Sequence, residues 1–269
     1  MGTILLEEDI LVKLAGVIRK KNGTSRNYHP NQMAQAILDL PTDGSTGADE
    51  FTVDVLNNTI TEFTDPNRKI KTVGNYAMYH ASNLTSVDLP VCTSIQAYAF
   101  TGDNKITTIS IPNCNSVGAH AFEDCTRLVN LGSLKIGTID QYAFAGSKFT
   151  EFHTSSGGRV DNYAFKNNTN LREVTFGRAA TFYRYCFNGC SNLETVTLSG
   201  DTKSIMDGRQ TLTADVVFAG TKILTTGHIY VPANLISVYL EDPLWEPVAS
   251  RITAIPQPEP SPDPEEGGA

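Results

Sequence analysis

Charge is scarce in this chain of 269 residues: Asp, Glu, Lys and Arg together make up 19%. A helical bundle would carry more Glu, Lys and Leu, so that class is disfavoured. Basic clusters are scarcer still. The one group, Arg19-Lys20-Lys21, sits where a helix is expected to end and complements its dipole. The net charge is −8, and four acids (Glu259, Asp263, Glu265, Glu266) crowd the last eleven residues, leaving the body mildly acidic. Nucleic-acid binding, which draws on clustered Lys and Arg, is not expected.

Long apolar runs are missing too. None reaches the roughly 18 residues of a membrane span, so no membrane insertion is expected. Residues 4–18 are interrupted by Glu7, Glu8, Asp9 and Lys13 and do not form a signal peptide, so cytoplasmic synthesis is expected. The five cysteines (Cys92, Cys114, Cys125, Cys186, Cys190) form no CxxC pair, and their odd number suggests reduced thiols. Cys186 and Cys190 have no His at ligand spacing, which argues against zinc. There is no phosphate loop, Gly-x-Ser-x-Gly or His-Glu-x-x-His. The histidines at 29, 80, 120, 153 and 228 form no recognisable constellation. The expectation is no enzyme, no cofactor and no metal.

What is present is a repeat. Tyr76-Ala77-Met78, Tyr98-Ala99-Phe100, His120-Ala121-Phe122, Tyr142-Ala143-Phe144, Tyr163-Ala164-Phe165 and Tyr185-Cys186-Phe187 recur every 21 or 22 residues. An apolar residue stands three positions before each triplet: Val73, Ile95, Val117, Ile139, Val160 and Phe182. After each triplet come alternating apolar groups such as Leu84-Val87-Leu89, Ile106-Ile109-Ile111, Leu128-Leu131, Phe149-Phe152, Leu171-Val174-Phe176 and Leu193-Val196-Leu198, which have strand period. One such repeat cannot bury its own apolar side, whereas stacked repeats bury a continuous core. Gly102-Asp103-Asn104, Glu123-Asp124-Cys125, Asn167-Asn168 and Asn188-Gly189 favour turns. Cys92 and Cys114 are one repeat apart and so lie within disulfide reach of each other; a bond and a buried thiol stack are both compatible with this.

These residues resemble the BspA-like leucine-rich repeat family, whose pattern Ala121-Phe122-Glu123-Asp124-Cys125-Thr126-Arg127-Leu128 and Ile106-Thr107-Thr108-Ile109-Ser110-Ile111-Pro112 follow closely. The resemblance implies a mainly β solenoid, a right-handed leucine-rich array over residues 67–232, and says little of function. A cap over 233–255, built on Leu235, Tyr239, Trp245 and Ile252, is expected to cover its end. Asp201 to Ala214 reads as an insertion, with Phe218 displaced from the period.

Ahead of the array, Leu11, Leu14, Ala15 and Ile18 share a helical face, Asn22-Gly23 ends that helix, and Pro30 starts a second one with Met33, Ala36, Ile37 and Leu40. This N-terminal helical hairpin, residues 1–41, resembles a module of tail-associated proteins in phages infecting Firmicutes. Residues 42–50 read as a linker and 51–66 as a β-hairpin cap around Asn57-Asn58. The Pro- and acid-rich stretch 256–269 is expected to be disordered.

Two faces are candidate binding surfaces. One is the tyrosine column Tyr76, Tyr98, Tyr142, Tyr163 and Tyr185, aromatic residues with a polar tip that suit sugars but also suit plain structural stacking. The other is the set of outward strand positions Asp88, Ser110, His153, Thr175 and Thr197. The resemblances point to a phage or prophage tail-associated protein of the virion, receptor-binding or of the tail fibre or tip. Its expected partners are a host cell-surface glycan or protein, other virion proteins and further copies of the chain in a homo-oligomer. An adhesin-like or intracellular protein–protein interaction module is the alternative.

Overall fold

Each repeat spends its alternating apolar residues on strands two to four residues long, and every pairing between them is parallel. The structure, a computed structural model, describes residues 61–65, 68, 70–79, 81–132, 134–207 and 212–256. The helical hairpin expected over 1–41, the linker 42–50, most of the hairpin cap 51–66 and the tail from 257 onward lie outside the described residues.

In chain order the strands are β1 (Glu62–Thr64), β2 (Thr72–Val73), β3 (Ser86–Asp88), β4 (Ser94–Ile95), β5 (Thr108–Ser110), β6 (Ser116–Val117) and β7 (Thr138–Ile139). Then follow β8 (Glu151–Thr154), β9 (Gly158–Val160), β10 (Glu173–Phe176), β11 (Ala180–Phe182), β12 (Thr195–Leu198), β13 (Ile205–Met206), β14 (His228–Val231) and β15 (Ile252–Ala254). They form three sheets: β1-β3-β5, β15-β14-β12-β10-β8 and β13-β11-β9-β7-β6-β4-β2. Successive rungs pair in register with the sequence period, as in Val87 with Ile109, Ile95 with Val117 and Val174 with Val196.

The core consists of columns running along this stack. Val73, Ile95, Val117, Ile139, Val160, Phe182 and Met206 line the inner side of the seven-stranded sheet and are all buried. Phe100, Phe122, Phe144, Phe165, Phe187 and Phe218 stack face to face, with ring centroids 5.1, 5.4, 5.6, 5.3 and 5.7 Å apart. Ala99, Ala121, Ala143, Ala164 and Cys186 are fully buried beside them, where the tight turn leaves room for a small side chain alone.

Three features depart from the uniform array. At Asn130–Leu134 one rung is split. Asn130 bridges back to Thr108, whereas Leu134 bridges forward to Thr154. Gly132 between them has φ +61, and its N–H donates to Asn130 Oδ1 at 2.9 Å. The three-stranded sheet therefore ends and the five-stranded sheet begins within one repeat, and Leu134 and Ile136 join the core. Second, the stretch expected as an insertion is partly a rung: Ile205 and Met206 pair with Thr181 and Phe182, and Phe218 returns to its column despite the longer loop. Helix α1 (Ala214–Val217) delivers it there.

Third, the two ends reach into their neighbouring segments. Glu62–Thr64, inside the expected hairpin cap, pairs in parallel with β3 as a rung. β15, inside the expected C-terminal cap, pairs with β14. Helix α2 (Ile236–Leu240) brings Tyr239 against Trp245, with ring centroids 4.9 Å apart at 84°, and both are buried over the last rung. No helix among the described residues is long and apolar enough to cross a membrane.

Candidate functional site

The tyrosine column is a ladder. Tyr76, Tyr98, His120, Tyr142, Tyr163 and Tyr185 stack with centroids 4.8, 4.6, 5.0, 5.1 and 5.5 Å apart, no pair tilted by more than 18°. All six have positive φ, between 56° and 59°. Bulky residues rarely adopt this left-handed conformation, which costs about 1–2 kcal/mol each. It lets the backbone reach the next rung: Tyr98 N–H donates to the Ala119 carbonyl at 2.9 Å and Phe100 N–H to the Ala121 carbonyl at 2.8 Å. Stacking contributes about 0.5–1.5 kcal/mol per aromatic pair beyond burial, so the pairs, each shared between two rings, offset part of the backbone strain.

This geometry limits what the ladder can bind. Each inner ring has a neighbour over both faces, and Tyr79 meets the terminal Tyr76 edge-on at 5.7 Å. Stacking a sugar needs a free face, so the inner tyrosines present edges and hydroxyls instead. Lys166 lies over Tyr142 and Tyr163, 5.6 and 5.1 Å from their centroids. His120 Nδ1 is 2.7 Å from Glu123 Oε2. Burial, followed by the nearby Tyr76 and Glu123, pushes the Tyr98 hydroxyl up.

The outward strand positions divide between two sheets. Asp88 and Ser110 are register partners, together with Thr64, on the three-stranded sheet. His153, Thr175 and Thr197 form one row on the five-stranded sheet, continued by Tyr230 and Thr253. The split rung at Gly132 separates the two groups. Beside the longer row runs a second outward row, Glu151, Glu173, Thr195 and His228. Across the two rows, His153 Nε2 lies 3.3 Å from Glu151 Oε2, and the His228 and Tyr230 rings are 6.0 Å apart. The result is a polar face with acids at one edge and an aromatic pair at the other.

A third row was not singled out from the sequence. Thr72, Ser94, Ser116, Thr138, Arg159, Thr181 and Ile205 face outward from the seven-stranded sheet. Each directly precedes a member of the inner apolar column, so the recurring hydroxyls were visible at the repeat period. Arg159 interrupts them and is held by Asp140 and by Asp161, the latter at 3.5 Å.

The cysteines do not contribute to a surface. All five are buried free thiols. Cys92 and Cys114 donate to the carbonyls of Ser94 and Ser116 at 3.4 and 3.3 Å. Burial pushes the thiols up, to about 12 for Cys114 and Cys190. Among the described residues no group of three or more His, Cys, Asp or Glu is placed to hold a metal ion.

A family model, the BspA type leucine rich repeat region, matches in six copies over residues 55–157 and 93–209, together more than half of the chain. No curated protein matches. Among solved structures, a leucine-rich cell surface protein from Faecalibacterium prausnitzii A2-165 is similar at 17% identity with a TM-score of 0.36. The match covers 55% of this chain and 57% of that one.

Proposed function

As the chain belongs to the BspA-type leucine-rich repeat family, we propose that it is a non-enzymatic binding or structural protein, a right-handed solenoid that presents a sheet face to a partner. The observation that carries this reading is the row His153-Thr175-Thr197-Tyr230 with its neighbours Glu151, Glu173 and His228, held in register on four paired strands. Side chains fixed at rung spacing lose little freedom on binding, which favours recognition of an extended ligand. The partner is a cell-surface glycan or protein of a bacterial host. The ladder supports the sheet, and its tyrosines contribute hydroxyls at the margin.

In the finer form of the proposal the protein is tail-associated in a phage or prophage, at the fibre or tip, with residues 1–41 docking to other virion proteins or forming a homo-oligomer. An adhesin of a bacterial surface fits the family membership equally well. The test is retention of the full-length protein on intact cells from a panel of bacterial hosts. Thr175→Arg and Thr197→Arg, which place a long cation in the proposed face, are compared with Thr138→Arg on the seven-stranded sheet. Loss of retention in the first two and not in the third supports the face. Equal retention in all three rejects it, and no retention by any host envelope rejects the role. Light scattering on the full chain and on one lacking residues 1–41 separates the two settings. A defined oligomer that becomes monomeric on truncation favours the tail, and a monomer in both favours the adhesin.

A further inference from the structure

After each core aromatic the chain turns through a buried residue, and these residues form a column of their own: Asp103, Cys125, Ser147, Asn168 and Cys190. Four of the five donate a hydrogen bond to the carbonyl of the core aromatic one rung back. Cys125 Sγ donates to Phe100 at 3.2 Å, Ser147 Oγ to Phe122 at 3.2 Å, Asn168 Nδ2 to Phe144 at 2.7 Å and Cys190 Sγ to Phe165 at 3.0 Å. The column thus requires a donor. Asp103 is the exception in kind: a carboxyl with no solvent exposure, neither of whose oxygens accepts a hydrogen bond. By the same offset the carbonyl one rung back from Asp103 is that of Met78, which takes the Ala81 N–H at 3.1 Å, just as the Phe100 carbonyl takes Asp103 N–H at 3.2 Å.

A carboxylate there would be a buried charge with no cation and no hydrogen bond to compensate it, which strongly disfavours the charged form. A carboxylic acid O–H fits the place that a thiol, a hydroxyl and an amide fill in the later rungs. We propose that Asp103 is held protonated inside the fold as the donor to Met78, forming a latch between the first two core rungs that tightens in acid and loosens in base.

The surroundings agree. The titratable group facing Asp103 from the next rung is the Cys125 thiol, with Asp124 beyond it; the rung before offers the Ala81 backbone N–H. No cation pairs with Asp103 among the described residues. Burial pushes its carboxyl up from 3.8 to about 9, against the opposing pull of the nearby Ala81 N–H, whose hydrogen bond goes to the Met78 carbonyl. A folded-state value above the unfolded one means the folded form holds the proton more tightly. The latch is therefore at full strength below 3.8 and is lost progressively as pH rises toward about 9. Across that window the opening constant rises about tenfold per pH unit relative to a chain that lacks the carboxyl.

The test uses the full chain and Asp103→Asn, whose amide can donate as Asn168 does. The infrared difference between the two at pH 7 should contain a protonated-carboxyl band that fades near pH 9. Hydrogen exchange at the Met78 and Ala81 amides, compared between the two proteins at the same pH from 5 to 8, should give an opening ratio that climbs about tenfold per unit. Absence of the band at pH 7, or a ratio that stays flat, overturns the proposal. If Asp103→Asn does not fold, Asp103→Ser and Asp103→Cys, residues native to this column, serve the same comparison.

Discussion

Replacing Tyr142 tests whether the ladder offsets its own backbone strain. Tyr142 sits at φ 56°, stacked on His120 at 5.0 Å and on Tyr163 at 5.1 Å. Tyr142→Phe keeps both stacks and should change stability by less than about 0.5 kcal/mol. Tyr142→Ala removes both, at about 0.5–1.5 kcal/mol each, along with part of the ring's burial, and keeps the strained φ; the loss should be about 2–4 kcal/mol. Tyr142→Gly removes the same contacts but relieves the left-handed penalty of about 1–2 kcal/mol, against an added chain entropy of about 0.5–1 kcal/mol. Glycine should therefore be less damaging than alanine here, the reverse of their order in an ordinary strand. Urea denaturation of the three variants reads this directly. If Tyr142→Gly proves less stable than Tyr142→Ala, the balance between strain and stacking argued above is wrong.

Gly158 has φ +104, and a Cβ there would lie 1.9 Å from the Gly137 carbonyl oxygen, so Gly158→Ala should lower stability by about 3 kcal/mol or more; Gly74→Ala, with nothing within 4 Å, should be close to neutral in the same thermal melts. The five thiols should resist a polar thiol reagent in the native protein and all react in denaturant, so a fast native thiol would contradict their burial. Asp242 is held below its ordinary value of 3.8: partial burial acts the other way, but Lys203 and the Leu244 N–H outweigh it. Its contribution is present above 3.8 and lost as pH falls further, so wild type should lose stability relative to Asp242→Asn in acid melts below that pH.

The repeat was legible because each column recurs at one spacing, so the chain serves as its own alignment. Phe100, Phe122 and Phe144 announce their burial in this way. The ladder's left-handed backbone was not legible, because aromatic side chains carry no local preference for positive φ. The split rung at Gly132 was hidden because the repeat length stays the same while the strand breaks inside it, and assigning Ser110 and His153 to different sheets required the pairing register. The segment 201–214 reads as an insertion because Phe218 falls well beyond the regular period from Phe187, and only the strand register shows Ile205 and Met206 forming a rung within it. Asp103 reads as an ordinary turn residue beside Gly102 and Asn104, and its burial follows from the next rung closing over it.

Among the described residues every strand pairs with a rung next to it in the stack, and none reaches across several rungs. Cohesion is therefore local, shared out as a series of similar joints. Tension applied along the stack finds no single clasp to break. Rungs peel away from an end one at a time, each releasing a contour length of about 70–80 Å for the regular repeats. The interval between β12 and β14, where Val196 pairs with Ile229, holds more chain and so pays out a longer thread. A molecule built this way yields by lengthening, and keeps the remainder of its surface in register while it does so.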